Sequence, residues 1–525
     1  MSTQAQELGE DRERRPGLGW ALLLGALPLA WLTWRFDLVL DDAYISFRYS
    51  KNLADGLGLR FNPGAEPPVE GYSNLLWVLW CTLPELVGID TTVWARASLF
   101  AAALALLAAV LGCARRLGAG PLALAATGLF LGTFPPTATW ATGGLETMPF
   151  ALALFLCYER LLGDPARPRG LQAGLAGLAV ALLRPDGAVW AGIVLALGLL
   201  AAWRGGGAAV LRATRVAAVV LVVGVALHVG CRYAYYGDYL PNTARAKSSL
   251  SALTLERGAT YAAAYLAHFP TFAVALLVGL AAIRRRGALV LHALVLVAAA
   301  FAYAVLVGGD FLPMGRFVFP AVPFAALLFA GGLAALAGPG ERRLRLAAPL
   351  LVGLFAVSAL PAFGRYALPE RARAALHYNW NFPEYVPEHE LLDGERRRAE
   401  LWAHLGRALQ QHTNPGESLV QESVGAVGYY CDLFLFDQYG LVNREVALRE
   451  GSGARVSAGH DRYVRPSFFE KDAPTYMNAD LIDVGPDGRE LRRRRPGPYA
   501  REVIPLREED GFPPGKGLLL ARMRR

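Results

Sequence analysis

Residues 31–50 read WLTWRFDLVLDDAYISFRYS and join the end of an apolar segment to two adjacent carboxylates, Asp41 and Asp42. The apolar segment, residues 18–36, is long enough for one transmembrane helix, since about 20 apolar residues cross a bilayer. Carboxylates at a bilayer face are costly, so they need a reason to be there. The stretch therefore predicts a membrane protein whose polar chemistry begins where its first helix ends.

The composition extends this prediction to the rest of the chain. Hydrophobic residues make up 54% of the 525 positions, and some stretches, such as 288–307, are apolar on every side. Soluble helices alternate apolar with polar residues instead. By the length rule we expect about eleven transmembrane helices, at 18–36, 91–113, 120–136, 145–162, 170–184, 187–203, 215–235, 260–283, 287–307, 317–338 and 346–366.

Arginines give the predicted orientation. They cluster in alternate short loops, and positively charged loops stay in the cytoplasm. The same rule places residues 1–17 inside. The net charge of +8 is explained by these loops, so binding of nucleic acid is not expected. The clusters are Arg115 and Arg116; Arg160, Arg167 and Arg169; Arg204, Arg212 and Arg215; Arg284, Arg285 and Arg286; and Arg342, Arg343 and Arg345.

Two segments after the first span are predicted to lie along the membrane. Residues 73–88 are apolar but short, and counting them as a span would put the arginine loops outside. We therefore expect an interfacial or re-entrant helix there. Within 42–56, Ile45, Tyr49 and Leu53 lie four residues apart, which predicts an amphipathic helix on the membrane surface.

The composition changes where the last span ends. The membrane domain is expected to cover residues 18–366, with a first outer loop at 37–90. The tail, residues 367–525, carries charges of both signs, prolines and turns, and an odd number of spans places it outside. Its segment 417–443 alternates short apolar runs with glycine, which predicts an extracytoplasmic α/β domain. The arginine run 492–495 is compatible with this, because long domains translocate largely regardless of charge.

Polar motifs recur at the helix ends that this orientation places outside. Each has a structural explanation by itself, but together they supply carboxylates for acid–base chemistry and cations for a phosphate. Gathered on one face, they predict an active site for a lipid substrate. The motifs are DD at 41–42, GGLET at 143–147, RPDG at 184–187, YYGDYLPNTARAK at 235–247 and GGDFLPMGR at 308–316.

Asp41 and Asp42 are the candidate general base. One aspartate would be enough to cap a helix by accepting from its free N–H groups. Two neighbouring carboxylates raise each other's pKa, which suits a base or a cation site. Asp41, nearer the span, is the first choice and Asp42 the second. A divalent cation would suit the pair, but no closed set of metal ligands is visible, and no cofactor is assigned.

Four further charged residues are candidates for binding a donor phosphate or sugar. Arg184 ends an apolar helix and can bind a phosphate bidentately, but it can also pair with Asp186 across a tight turn. Asp310 and Arg316 bracket the sequence FLPMG, where a structural ion pair is the alternative.

Glu146, Arg245 and Lys247 are three more charged candidates. Glu146 begins a helix, where the helix dipole alone would favour a negative charge. The pair Gly143–Gly144 before it lets backbone approach a ligand closely. Arg245 and Lys247 follow a long helix, and attraction to anionic lipid headgroups is the alternative for them.

In combination these motifs resemble a known family. DDAYISFRYSKNLADGLGLRFNPG at 41–64, followed by VEGYSNLLW at 69–77, looks like the first outer loop of the mycobacterial terminal beta-1,2-arabinofuranosyltransferases. It is also similar to the bacterial flagellar motor control proteins. GGLET, RPDG, YYGD with LPNT, and GGDF with GR follow in the family's order, as does VGYY with YGLVN in the tail. The resemblance covers most of the chain, although 448–475 has no counterpart.

The resemblance implies a GT-C class polytopic glycosyltransferase. Such enzymes take a sugar from a polyprenyl-phosphate donor and invert its anomeric carbon. Their catalytic carboxylate is an aspartate of the first outer loop, here Asp41 or Asp42. The leaving phosphate would be held by arginines such as Arg48, Arg184, Arg245 or Arg316. The motifs further imply donor binding by Glu70, Tyr72, Glu146, Asp186, Asn242, Lys247 and Asp310.

The expected protein is therefore a glycosyltransferase of the bacterial inner membrane with a periplasmic tail. It would move a sugar, such as arabinofuranose, to a cell-envelope glycan, lipid or protein. The alternatives are a non-enzymatic assembly factor for flagellar or surface machinery, or a transporter of a lipid-linked solute. A transporter is expected to show inverted repeats and helices interrupted at mid-membrane. Here the polar motifs lie at helix ends, which favours an enzyme.

Overall fold

The computed structural model of the chain describes residues 17–247, 251–360, 368–451, 454–491 and 498–524. Three predictions fall wholly or partly outside these residues. They are the cytoplasmic start, the end of the span 346–366 and the arginine run 492–495.

The described chain up to residue 360 is mainly helical. Its helices are α1 (Leu18–Phe36), α2 (Asp41–Ala54), α3 (Leu75–Val87), α4 (Thr91–Arg116), α5 (Pro121–Thr133), α6 (Pro135–Trp140), α7 (Thr147–Tyr158), α8 (Gly170–Leu183), α9 (Gly187–Ala201), α10 (Gly207–Tyr236), α11 (Asn242–Lys247), α12 (Ala252–His268), α13 (Pro270–Gly279), α14 (Ile283–Leu306), α15 (Val322–Leu336) and α16 (Arg342–Ser358). Short π-helical segments extend α7 over Glu159–Gly163 and α9 over Ala202–Gly206.

Within the described residues, six helices are long and apolar enough to cross a membrane. They are Leu18–Phe36, Thr91–Arg116, Gly187–Gly205, Gly207–Tyr236, Phe319–Leu336 and Pro270–Leu306, the last of which runs through α13, a short 3-10 turn and α14. These confirm a polytopic helical membrane protein. The count of eleven stays a prediction, because several other predicted spans form shorter helices. The 13-residue helix α3 is also too short for a span, as expected of an interfacial or re-entrant segment.

The predicted span 260–283 is divided in two. The helix α12 ends at His268, and Pro270 begins α13. Proline has no N–H to continue a helix but fits its first turn, so it starts a new one. The apolar pattern continues across this break, and hydropathy alone therefore predicted one span.

Glycines allow α1 and α5 to pack backbone against backbone. A Cβ on Gly128 would lie 2.3 Å from the carbonyl oxygen of Ala21, and one on Gly132 would lie 2.0 Å from that of Gly25. Small residues permit this close approach between helices in lipid, where packing rather than the hydrophobic effect holds helices together. The contact fixes α1 and with it the start of α2.

The helix α2 is covered by the tail rather than by lipid. Ile45 and Tyr49 are only 6% and 0% exposed, and they share a hydrophobic cluster with Val427 and Leu435 of the tail. An amphipathic stripe shows that one face is covered by something apolar, and here the cover is protein. This corrects the predicted helix on the membrane surface.

The tail combines helices with two small sheets. Its elements are α17 (Glu370–Ala375), α18 (Glu388–His412), β1 (Ser418–Gln421), α19 (Gly425–Tyr430), β2 (Phe434–Asp437), α20 (Arg444–Ala447), β3 (Asn478–Asp483), β4 (Ala500–Pro505) and β5 (Lys516–Arg522). The strands β1 and β2 pair in parallel, with Ser418 opposite Phe434. The other three form an antiparallel sheet in the order β3-β5-β4. Segment 417–443 thus forms a strand, a helix and a strand.

Candidate functional site

A cavity of about 380 Å³ lies where α2, α7 and α9 begin and α14 ends. We call it the first cavity. Its apolar wall includes Tyr303, Leu306 and Phe317. All five predicted outer motifs, and the rest of the first outer loop, contribute polar side chains to it, with Thr243 as the contribution of the motif at 235–247. The predicted site residues that line it are Asp42, Tyr72, Glu146, Arg184, Asp186, Asp310 and Arg316.

Arg184 and Asp186 pair across the turn between α8 and α9. Arg184 Nε lies 3.0 Å from Asp186 Oδ1, and Nη2 lies 3.4 Å from Oδ2. Nη2 also donates to the hydroxyl of Tyr303 at 3.2 Å, and the indole of Trp190 donates to Asp186 Oδ2 at 2.8 Å. The predicted turn pairing is present, and the pair lines the cavity as well.

Asp310 and Arg316 form a second ion pair in the same wall. Arg316 Nε lies 2.6 Å from Asp310 Oδ2, and Nη2 lies 3.1 Å from Oδ1. Both residues are buried. A fork-to-fork geometry of this kind fixes the plane of the guanidinium. The remaining N–H donors therefore have a set direction.

The loop between Asp310 and Arg316 is held from two sides through Met314. The backbone of Met314 is left-handed, with a φ of 61°. Its N–H donates to Glu388 Oε2 at 2.5 Å, and its carbonyl accepts from the indole of Trp140 at 3.0 Å. Glu388 begins the tail helix α18, and its burial raises its pKa. The tail thus helps to position Arg316.

Glu146 belongs to a hydrogen-bonded row in the first cavity. Asn74 Nδ2 donates to Glu146 Oε2 at 2.9 Å and to the hydroxyl of Ser46 at 3.0 Å. Gly144, just before, has a φ of 81°, and a Cβ there would lie 2.7 Å from that of Ala43. The predicted flexible glycine therefore lets α2 approach closely.

A second cavity of about 280 Å³ lies between α2 and the tail. Asp41 and Asp42 both line it, and so do amide, hydroxyl and aromatic side chains from several tail segments. Among the described residues that line this cavity, Arg398 is the one that carries a guanidinium group. It forms an ion pair with Glu395. The tail residues with these functional groups are Asn379, Asn381, Phe382, Trp402, Ser423, Tyr439 and Ser457.

Asp42 lies in the wall that the two cavities share. In the first cavity, Asp186 and Asp310 are bonded to arginines and Glu146 to Asn74. The carboxylate of Asp42 makes no hydrogen bond or ion pair with any residue that the structure describes. It is therefore free to accept a proton from a ligand in either cavity.

Asp41 instead holds the tail. Its Oδ1 accepts from the N–H of Ala426, at the start of α19, at 2.7 Å. A Cβ on the neighbouring Gly425 would lie 2.1 Å from the carbonyl oxygen of Asp41, so only glycine permits the contact. Burial raises the pKa of Asp41 to about 7, and the charge of Asp42 raises it too, while the Ala426 bond opposes the shift. Asp41 lines only the second cavity.

Arg48 and Glu70 line neither cavity. Arg48 donates to the carbonyls of Phe61 at 2.7 Å and of Gly428 and Leu433 at 2.8 Å each. These bonds join the first outer loop to the tail. Glu70 Oε2 accepts from the Nε of Arg232 at 2.6 Å. Both side chains are engaged in holding the scaffold.

Asn242 and Arg245 also line neither cavity. Asn242 Nδ2 donates to the carbonyls of Gly440 and Leu441 at 2.7 and 2.9 Å. Arg245 pairs with Asp238 at 2.6 Å in a partly exposed position. The side chain of Lys247 lies outside what the structure describes.

Sequence reasoning missed the second cavity and part of the first. Asn74 lay inside the quoted VEGYSNLLW motif, which was a usable signal. Glu388 and Glu395 carried no such sequence signal, because charged residues on an amphipathic helix usually face solvent. No group of three or more His, Cys, Asp or Glu side chains suited to a metal ion occurs among the described residues.

The sequence matches one family model in its tail. The model is described as a domain of unknown function (DUF8728) and matches residues 390–504. That range runs from α18 into β4. The sequence matches no curated protein.

Among solved structures, the chain is similar to ArnT from Cupriavidus metallidurans. The ArnT structure bound to undecaprenyl phosphate gives a TM-score of 0.56 at 16% identity, over 96% of this chain and 98% of that one. Apo ArnT gives 0.51 at 16% identity, over 89% and 93%. The arabinofuranosyltransferase AftD from mycobacteria gives 0.48 at 15% identity, over 97% of this chain and 40% of AftD.

The likeness to ArnT shows a shared fold. Together with the six candidate spans, it identifies the chain as a polytopic helical membrane protein. The resemblance to flagellar motor control proteins finds no support in these comparisons.

Proposed function

We propose that the chain is a GT-C class glycosyltransferase that takes its sugar from a polyprenyl-phosphate donor. The observation that carries this proposal is the position of Asp42. Its unpaired carboxylate lies between a cavity with two arginines and a cavity with amides, hydroxyls and aromatic rings. The ArnT structure with the shared fold was solved with undecaprenyl phosphate, which supports a lipid-linked donor.

In the proposed reaction, the donor sugar and phosphate occupy the first cavity, and the acceptor hydroxyl enters from the second. Asp42 accepts the hydroxyl proton while the oxygen attacks the anomeric carbon. The new carbon–oxygen bond forms as the bond to the phosphate oxygen breaks, so the configuration inverts and polyprenyl phosphate leaves. The enzyme contributes positioning and a general base.

Arg184 and Arg316 are the proposed phosphate ligands. A guanidinium has five N–H donors in a planar fork, and pairing with one aspartate uses only some of them. Asp186 and Asp310 then hold each fork in a fixed direction, as they do in the structure. Developing charge on the leaving phosphate would meet donors that are already in place.

The remaining polar groups are proposed to bind the two sugars. Glu146, Asn74 and Ser46 can hydrogen-bond hydroxyls of the donor sugar. Trp402 and Asn381 can offer an apolar face and amide hydrogen bonds to the acceptor. A pentose such as arabinofuranose remains one candidate donor sugar, and an envelope glycan the leading acceptor. We place both cavities and the tail on the extracytoplasmic face.

The proposal is tested with purified protein in lipid nanodiscs. We expect one of a set of undecaprenyl-phosphate pentoses and hexoses to release undecaprenyl phosphate when an envelope glycan extract is added. Mass spectrometry measures the released lipid. No release from any donor in the set would contradict the proposal.

Asp41→Asn is expected to be at least as stable as the wild type above pH 7. Asparagine keeps an oxygen that accepts from Ala426 N–H but cannot ionise. In the wild type the pKa of Asp41 is raised to about 7. The stability that its protonated form contributes is full below the ordinary carboxyl pKa and is lost as pH rises through about 7.

Thermal unfolding in detergent from acid to mildly alkaline pH measures this difference. As pH rises, the melting temperature of Asp41→Asn should increasingly exceed that of the wild type. Asp41→Ala is the control, because it removes the acceptor and should be less stable than Asp41→Asn throughout. Parallel pH profiles of wild type and Asp41→Asn would show that the carboxyl titrates normally.

A further inference from the structure

A small cavity of about 80 Å³ lies among the ends of α4, α7 and α8, away from the first and second cavities. Four arginines and two carboxylates line it, and they come from two loops that are separate in sequence. The lining residues are Arg116, Glu159, Arg160, Asp164, Arg167 and Arg169.

This cavity is separated from the proposed active site by the length of a transmembrane helix. The helix α7 begins beside Glu146 in the first cavity, and its π-helical extension ends at Gly163. These 17 residues, 147–163, correspond to about 25 Å of helix. α4 ends at Arg116 after 26 residues. The small cavity thus lies at the opposite membrane face, the one that the arginine loops predict to be cytoplasmic.

A buried carboxylate orients two of the arginines. Glu159 is 9% exposed, and it forms ion pairs with both Arg116 and Arg160. Glu159 starts the π-helical segment, and such local widenings of a helix are frequent at functional sites. The segment brings the Glu159 and Arg160 side chains to the cavity.

The other two arginines form no ion pair within the described residues. The N–H of Arg169 donates to the carbonyl of Arg160 at 2.8 Å, which closes the loop and brings Arg167 and Arg169 beside Arg160. Neither guanidinium makes a hydrogen bond or ion pair with the part of the chain that the structure describes. Arg169 also precedes α8, whose first turn has no acidic residue. Cations at a helix N-terminus are unfavourable by themselves.

We propose that this cavity binds a phosphate group at the membrane face, supplied by the headgroup of an anionic phospholipid. The four arginines exceed the two carboxylates, so the site carries a net positive charge in its described residues. Arg116 and Arg160 are held in place by Glu159, and Arg167 and Arg169 have free donors for the phosphate oxygens. Planar guanidinium forks match phosphate geometry. A bound phosphate would relieve the repulsion between the arginines and the start of α8.

Native mass spectrometry with phosphatidylglycerol tests the site. Wild-type protein should keep the lipid through detergent exchange. The double variant Arg167→Ala/Arg169→Ala should keep about 10- to 30-fold less, since each arginine at an anionic lipid surface adds roughly one kcal/mol. Arg284→Ala/Arg285→Ala is the matched control, because it removes two arginines from another loop on the same predicted face. It should keep the lipid as the wild type does.

A competition experiment with inorganic phosphate distinguishes a lipid headgroup from free phosphate as the source of the bound phosphate group. If millimolar phosphate displaces phosphatidylglycerol from the wild type and from the Arg284→Ala/Arg285→Ala variant alike, the phosphate group itself is recognised. If phosphate binds and the lipid does not, the site takes a free phosphate. Equal lipid retention by both double variants, or an equal loss in both, would overturn the proposal. Thermal melting without lipid checks that both variants fold.

Discussion

Asp42→Asn is expected to reduce sugar transfer by about 100- to 10,000-fold, the usual contribution of a general base. The substitution keeps the size and shape of the side chain but removes its ability to take a proton. Asp42 makes no bond to a described residue, so folding should be little affected. Transfer from an undecaprenyl-phosphate sugar, measured in nanodiscs, gives the rate.

Asp41→Asn is the matched control for this variant. It changes the neighbouring carboxylate in the same way, but Asp41 is bonded to Ala426 and lies only in the second cavity. Its loss of transfer should be far smaller. Undecaprenyl phosphate should bind to Asp42→Asn at least as tightly as to the wild type, since the variant loses only a negatively charged proton acceptor. If Asp42→Asn transferred sugar at the wild-type rate, the base would have to be sought at Glu146 or Asp310.

Arg316→Ala is expected to weaken binding of undecaprenyl phosphate by about 10- to 100-fold, the value of a hydrogen bond to a charged group. Removing one partner of a buried ion pair also leaves Asp310 as an uncompensated charge in the cavity, which repels the phosphate further. Binding measured by native mass spectrometry or by thermal shift reports the loss.

Two further variants separate phosphate binding from folding. Arg316→Lys keeps the charge but lacks the planar fork, so it should restore stability more fully than it restores lipid binding. Arg245→Ala removes an arginine that lines neither cavity, and its lipid binding should match the wild type. A full recovery of binding by Arg316→Lys would mean that only charge matters. Normal binding in Arg316→Ala would remove the residue from the site.

The sequence could predict the positions of the helices because apolar length is a local property. Each predicted span overlaps a helix in the described chain. Their lengths were less predictable. Pro135 begins a new helix two residues after α5 ends at Thr133, so an apolar run predicted as one span at 120–136 forms a helix of 13 residues.

The first cavity could be predicted because topology brings alternate helix ends together. Once the arginine loops are placed on one face, Glu146, Arg184 and Asp310 must lie on the other. Their meeting in one cavity then needs only compact packing of the helices. In the structure, Arg184 forms an ion pair with Asp186, and Asp310 forms one with Arg316. Each pair lies within a single motif.

The role of Arg48 could not be predicted, because its partners are distant in sequence. Two of its carbonyl acceptors lie 380 and 385 residues along the chain. A carbonyl acceptor leaves no mark on the sequence, since every residue has one. The family resemblance therefore led to a prediction that Arg48 binds phosphate, whereas the structure shows its guanidinium bonded to backbone carbonyls of the tail.

The choice between Asp41 and Asp42 also depended on a contact with the tail that is distant in sequence. Position relative to the span favoured Asp41 slightly. The fold places α19 against Asp41, which engages that carboxylate and leaves Asp42 free between the cavities. The second cavity was equally out of reach, because its residues come from separate segments of the tail with no common pattern.

On this account the protein transfers a lipid-linked sugar to an envelope acceptor, and Asp42 is the general base of the transfer. The most direct measurement is mass spectrometry of envelope glycans and polyprenyl-phosphate sugars from cells carrying either the wild-type gene or the Asp42→Asn allele at equal expression. We predict that the variant cells lack one sugar substituent on a glycan and accumulate the matching polyprenyl-phosphate sugar. Identical glycans and identical lipid-linked sugars in the two strains would contradict the claim.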